Sequence, residues 1–283
     1  MVLLFSGLLA VSLQEGFSGP GVTFVDVGQG DCIHIRTPEG RNYMIDGGGS
    51  IRYDVGKKTL KPYLLKNGVT KLDAAFATHL HEDHFGGLRS LAQEGLIEKI
   101  GVYEGNRLLE DKLEQETDAE LFYLYKGQRV VLGEGIFLDI LAPERKNSRE
   151  YELLARKQDD ENAGSLIMKL TFLDMTVLIT GDIDQEGEEL LMKSCTREQL
   201  QCDVLKVAHH GSKYSSSEAF LDVASPEIAV FQVGRNSFGH PAPSVIENCR
   251  QKGIMVYRND TSGAIRTGKN KDGSSILVQR MIE

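Results

Sequence analysis

Residues 79–84 read His79-Leu80-His81-Glu82-Asp83-His84, three imidazoles and a carboxylate in six positions. These are the donors that divalent first-row metals take from proteins, and burying them without a partner is costly. Alternate residues of an extended chain point the same way, so His79 and His81 are expected to converge on one ion. A tight turn after them is expected to aim Asp83 and His84 at a second ion.

Three later segments supply partners. Thr180-Gly181-Asp182 closes an apolar run with a carboxylate placed to bridge two ions or, alternatively, to cap the helix that follows. Val204-Leu205-Lys206-Val207-Ala208 runs into His209-His210-Gly211-Ser212, and Gly239-His240-Pro241 follows a fourth run. Four strand ends carrying ligand-type residues make one site if their loops share one edge of a sheet.

The elements that must position these residues are legible from pattern. Short β-branched runs at Val22–Val27, Cys32–Arg36 and Asn42–Asp46 alternate with Gly-rich turns. A helical period follows over Lys57–Lys66, then a buried strand Leu72–Thr78 that delivers the histidine run, a helix near Gly87–Glu94 and a strand near Lys99–Tyr103. The charged stretches Glu104–Lys126 and Arg145–Glu161 are expected to be solvated and irregular. Strands at 165–173, 176–180, 203–208 and Ile228–Val233 are interleaved with helices near Gln185–Met192 and Pro243–Lys252. This order suggests two sheets with helices outside, an α/β (α+β) sandwich, and not a simple βαβ array.

Composition narrows the classes. The chain has 283 residues and a net charge of −9, with 41% hydrophobic and 26% charged residues, which excludes wholesale disorder and polyanion binding by net charge alone. A local cationic centre of bound metal stays open. The four cysteines show no C-x-x-C spacing and read as plain thiols. Met1–Leu13 is apolar but too short to span a bilayer, which takes about 20 residues. It lacks the basic start of a signal peptide. Residues 1–21 are expected to be the end of a truncated membrane helix or a linker, and 22–283 a single domain.

The histidine run, Asp182 and a late histidine resemble the signature of the metallo-β-lactamase superfamily. Val25-Asp26-Val27-Gly28-Gln29-Gly30-Asp31, Ile45-Asp46-Gly47-Gly48, the Lys206–Ser212 segment and Gly239-His240-Pro241 narrow the resemblance to the hydrolase domain of ComEC-type competence proteins. The resemblance implies a four-layer αββα sandwich and a site for two divalent ions held by His79, His81, Asp83, His84, Asp182, His209 and His240, with His240 favoured over His209 to complete the set. It implies hydrolysis of DNA, expected to be single-stranded, during uptake. It also places the domain beside a membrane channel of the same protein, on the extracytoplasmic side of a bacterial inner membrane. One departure stands out: no histidine lies between His84 and His209. Asn162, in Asp160-Glu161-Asn162, is the expected substitute, and an oxygen ligand there favours Mn or Mg over Zn.

Two ions about 3.5–4 Å apart lower the pKa of a water from roughly 15.7 to about 7 and neutralise a phosphodiester. Asp83 and His210 are expected in catalysis, with His210, Ser212 and Lys213 contacting phosphate or supplying a proton. Asp26, Asp31 and Asp46 are expected to orient ligand imidazoles or to serve the turns they sit in. The same site would serve a small-molecule hydrolase acting on a lactone, thioester or β-lactam, or a non-catalytic domain binding DNA or the channel.

Overall fold

A computed structural model of the chain describes residues 19–145, 162–269 and 275–281. The expected membrane-helix end falls outside these residues except for its last three, and so does Arg145–Glu161 except for Arg145. No helix among the described residues is long and apolar enough to cross a membrane.

Among the described residues, fifteen strands form two sheets. In chain order they are β1 Gly21–Phe24, β2 Ile33–Arg36, β3 Asn42–Ile45, β4 Ala74–Phe76, β5 Lys99–Tyr103, β6 Glu120–Leu124, β7 Arg129–Gly133, β8 Ile136–Ala142, β9 Ile167–Phe172, β10 Met175–Ile179, β11 Val204–Lys206, β12 Ile228–Phe231, β13 Met255–Arg258, β14 Ala264–Lys269 and β15 Ile276–Met281. One sheet has the order β15-β14-β1-β2-β3-β4-β5-β6 and the other β13-β12-β11-β10-β9-β8-β7.

Side-chain alternation builds the layers, since successive residues of a strand face opposite sides. Ile45, Phe76, Val177, Ile179, Val204, Ile228 and Val230 point between the sheets and form one core. Their neighbours point outward. Met44 and Ala75 pack under the helices Lys61–Lys66 and Glu82–Gln93. Leu178, Leu205 and Ala229 pack under Gln185–Ser194, Glu218–Ala224 and Pro243–Gln251. The four-layer αββα sandwich is therefore present.

Two sequence expectations change. Glu104–Lys126 is ordered, as a short 3₁₀ turn, a helix Glu110–Glu116 and β6. Apart from the buried Glu104, its charges lie on exposed or half-buried faces, while Leu113 and Leu124 reach the cores, so charge density concealed a sparse buried stripe. The helix expected from Gly87 begins at Glu82, so Asp83 and His84 lie in a helical first turn and not in a tight turn.

Strands β3, β4 and β5 are mutually parallel, as are β10, β11, β12 and β13. Parallel strands release their C-terminal loops at one edge, the usual place for a site in such sheets. Asp46 follows β3, His79 follows β4, Asp182 follows β10, and the two histidines follow β11. A hydrogen bond from Leu166 N–H to Thr78 O (2.8 Å) stitches the sheets together at that edge.

Candidate metal centre

The helix Glu82–Gln93 starts against two loops. Asp31 N–H donates to Asp83 O (3.1 Å), Gly47 N–H to His84 O (2.7 Å), and Gly87 N–H to Gly48 O (2.8 Å). So close an approach excludes side chains: a Cβ on Gly49 would collide with Glu82 O, and one on Gly87 with Gly47 O. The glycines after Asp46 therefore allow the loop to seat the helix that carries Asp83 and His84.

Five residues from distant parts of the chain meet here. His79, His84 and Asp182 place one ligand atom each within 4.8 Å of one another, and so do Asp83, His84 and His210. Two further groupings, Asp31 with Asp46 and His84, and Asp31 with Asp182 and His210, adjoin them. Asp182 Oδ2 lies 3.3 Å from His84 Nε2 and 3.5 Å from His210 Nε2, and Asp83 Oδ2 lies 3.3 Å from His210 Nε2.

Hydrogen bonds at the rear of each ring fix which nitrogen faces the centre. Thr78 Oγ1 gives its single proton to Asp46 Oδ2 (2.7 Å), so at 3.1 Å it accepts from His79 Nδ1 and leaves Nε2 as the ligand atom. His84 Nδ1 donates to Asp46 Oδ2 (2.9 Å). His210 Nδ1 donates to Gln232 O (2.9 Å), with Asp31 Oδ1 at 3.2 Å. Gln232 is anchored in turn, its side-chain amide donating to Val25 O (3.3 Å) and Cys32 O (2.8 Å) across the sandwich.

The donor set fits a pair of divalent cations. Nε2 of His84 and of His210 are buried without a hydrogen bond, as is Asn162 Oδ1. Burial opposes the charge on His84, yet the Asp182, Asp31 and Asp46 carboxylates hold its pKa well above the imidazole range. His210 is likewise raised to about 10 against the effect of burial, mainly by Asp182 and Asp31. A bound cation would displace such protons. Asp182 resists burial and stays well below the carboxylate range because His84, His210 and Lys206 surround it.

Lys206 was not singled out from the sequence. Its side chain is wholly buried; the ammonium pairs with Asp31, lies 3.5 Å from Asp182 Oδ1 and donates to Gly181 O (2.9 Å). It therefore occupies one oxygen of Asp182 while the other faces the imidazoles. The signal was available: a lysine inside the apolar run 204–208 is almost never buried unless paired.

Of the expected ligands, His79, Asp83, His84 and Asp182 converge. Asp182 is not a helix cap; that task falls to Asp184, whose carboxylate accepts from Gly187 N–H at 3.0 Å. His81 is exposed at the start of the helix, with Nδ1 3.1 Å from His79 Nε2. His209 is half-buried, its Nε2 3.9 Å from Asp182 Oδ2. His240 lies outside every grouping, its ring stacked edge-on against His209 at 5.6 Å. His210, expected as a phosphate contact, takes the inner position instead. The cause is local: His209 and His210 have φ of 49° and 53°, the left-handed region, which costs an L-residue roughly 1–2 kcal/mol and is retained at functional sites. Asp31 and Asp46 sit behind the ligand rings as expected, whereas Asp26 is exposed and accepts from Gly28 N–H in a turn (3.0 Å).

Asn162 shares a cleft of about 390 Å³ with Asp182, His209, Ser212 and Tyr214. Ser212 is buried and Lys213 exposed, its Nζ 4.8 Å from the centre of the Tyr214 ring.

Residues 25–235 match the family model of the metallo-beta-lactamase superfamily. ComE operon protein 3 of Bacillus subtilis is 28% identical over 271 residues, covering 89% of this chain and 34% of that protein. Competence protein ComA of Neisseria gonorrhoeae is 31% identical over 266 residues, 92% of this chain and 33% of its own length. The chain thus spans about a third of the curated relatives it matches, which are ComEC-type competence proteins. Among solved structures, the metallo-beta-lactamase fold protein YhfI from Bacillus subtilis has a TM-score of 0.54 at 14% identity, covering 87% of this chain and 99% of that one. The diiron β-hydroxylase CmlA from Streptomyces venezuelae reaches 0.55 at 12% identity, covering 94% of this chain and 55% of its own, so the fold by itself does not specify a reaction. The strand-end ligands, the sandwich that gathers them and the family match agree that this chain belongs to the metallo-β-lactamase superfamily.

Proposed function

We propose that the chain is a metal-dependent phosphodiesterase that cleaves DNA, as the hydrolase domain of a longer competence protein working beside its membrane channel. The observation that carries the reading is the gathering of His79, His84, Asp83, His210 and Asp182 at one sheet edge, with Asp182 Oδ2 within 3.5 Å of Nε2 of both His84 and His210, a donor set that would suit two divalent cations. Competence protein ComA, a relative, is named for competence, the uptake of DNA, which supports DNA as the substrate. Mixed imidazole and carboxylate donors, with the Asn162 amide on the cleft, suit Mn, with Zn or Mg as the other candidates.

When bound, the ions supply Lewis acidity and a water of lowered pKa. The chain's own residues do the rest. Asp46 and Thr78 hold His79 and His84 in one tautomer, and Gln232 holds His210. Lys206 keeps Asp182 turned so that Oδ2 faces the imidazoles. Lys213, exposed beside the cleft residue Tyr214, offers a cation to a flanking phosphate, and the Ser212 hydroxyl, within the cleft, offers a proton toward the leaving oxygen.

The test is cleavage of a labelled single-stranded oligonucleotide by protein stripped with EDTA and reloaded with Mn, Zn or Mg. Restoration by Mn is expected, together with loss in Asp83→Ala of undiminished helix content. Hydrolysis of a lactone, thioester or β-lactam with no DNA cleavage under any of the three metals overturns the reading.

A further inference from the structure

Two aromatic rings stand in water at the mouth of the metal centre. Tyr214, 64% exposed, lines the cleft with Asp182, Asn162 and His209. Phe238, 72% exposed, stacks on His240 with centroids 5.8 Å apart and planes at 35°, and His240 packs against His209. Both rings therefore stand within one or two side chains of His209, a neighbour of the ligand Asp182.

Neither ring contributes much to folding, because each leaves most of its surface in water. Both are nevertheless held. Asn236 spends its whole side chain on the loop that bears Phe238: its amide donates to Gly234 O (2.9 Å) and His240 O (2.8 Å), and its carbonyl accepts from Phe238 N–H (3.0 Å) and His240 N–H (3.1 Å). Gly234 N–H in turn donates to Gln29 Oε1 (3.3 Å). The Tyr214 backbone is pinned on both sides, its N–H donating to Ser212 Oγ (3.3 Å) and its carbonyl accepting from Gln185 N–H (2.8 Å). An exposed ring on a braced loop is ordered before any ligand arrives, which lowers the cost of stacking on it.

Charge selects the occupant. Lys213 Nζ sits over the Tyr214 ring, so a cation and a flat apolar face are presented together, and Arg235 is exposed on the Phe238 loop. A nucleotide carries a phosphate and a planar base in that same proximity. Bases paired in a duplex keep their faces stacked on one another; only an unpaired strand offers them to protein rings.

We propose that Tyr214 and Phe238 form a stacking platform that receives unpaired bases flanking the bond to be cut, so that the enzyme selects single-stranded nucleic acid by base faces and not by sequence. This rests on the phosphodiesterase reading. Stacking of this kind is worth about 5–150-fold per base, the equivalent of about 1–3 kcal/mol.

The experiment compares an oligothymidine with an abasic strand of equal length and charge, by anisotropy in Ca and by cleavage in Mn, for the full chain and for Tyr214→Ala, Tyr214→Phe and Phe238→Ala. The expected result is tighter binding and lower KM for oligothymidine. Each alanine variant should reduce that preference at least 5-fold, and Tyr214→Phe should retain it. Equal binding of the two strands by the unaltered chain, or an unchanged preference in both alanine variants, overturns the proposal. Selective binding without cleavage in any metal sinks the nuclease reading and leaves the platform standing.

Discussion

Replacing Lys206 by methionine preserves side-chain length and removes one charge from the centre of the fold. The ammonium is fully buried, and its three polar neighbours are the Asp31 carboxylate, Asp182 Oδ1 at 3.5 Å and Gly181 O at 2.9 Å. Removing it leaves two buried carboxylates without their shared cation. Breaking a buried pair from one side costs about 3–5 kcal/mol, a large part of the about 5–15 kcal/mol that holds a domain together. For a chain of this size about 4 kcal/mol corresponds to a fall of roughly 8–16 °C in Tm. The measurement is chemical and thermal denaturation in EDTA. Two controls sharpen it: Lys206→Met with Asp31→Asn should recover a substantial share, because the second change removes the stranded charge, and saturating Mn should narrow the deficit by supplying positive charge next to Asp182. A loss under about 1 kcal/mol in EDTA, or a double variant no better than the single, would refute the assigned pairing.

Three other outcomes follow from the geometry. Asp46→Asn should weaken Mn binding by about 10–100-fold, read by competition with a fluorescent chelator, because Asp46 holds the rear nitrogen of His84. Mn at about 100 times its Kd should stabilise the chain by about 2.7 kcal/mol, roughly 5–11 °C in Tm, reversed by EDTA; no shift would count against a preformed donor set. Burial pushes His34, packed against Asn42 and Tyr63, down to about 4. The unfolded chain then binds a proton that the folded one refuses, so stability should fall by about 3 kcal/mol between pH 6.5 and about 4 and level off below. His34→Gln should flatten that limb of the stability curve.

The motif at 79–84, Asp182 and the paired histidines were legible because metal ligands impose residue types that nothing else explains so compactly. The sandwich was legible from strand spacing, and the ordering of Glu104–Lys126 was not, since its buried residues are few and its charges many. That His210 joins the ligand groupings and His240 does not was illegible for a different reason. Sequence shows which residues follow a strand but not the left-handed turn at positions 209 and 210 that puts the second ring inside. Lys206 is legible only as a charge within the apolar run 204–208, since the ligand-type residues stand at the end of that strand. Tyr214 and Phe238 carry no periodic signal at all; only their exposure marks them, Tyr214 on the cleft with Asp182 and Phe238 against His240.

Gln232 directly follows β12 of the second sheet, yet its side chain grips carbonyls just beyond β1 and just before β2 of the first while its own carbonyl steers His210. One residue thus acts as a spacer gauge between the two halves of the molecule. If the halves slide or part, the ring it aims goes astray in the same motion, so seating an ion and clamping the sandwich shut are two readings of one event. Solvent exchange at the amides of β11 and β12 should therefore slow when the ions load, even though those strands carry no ligand themselves.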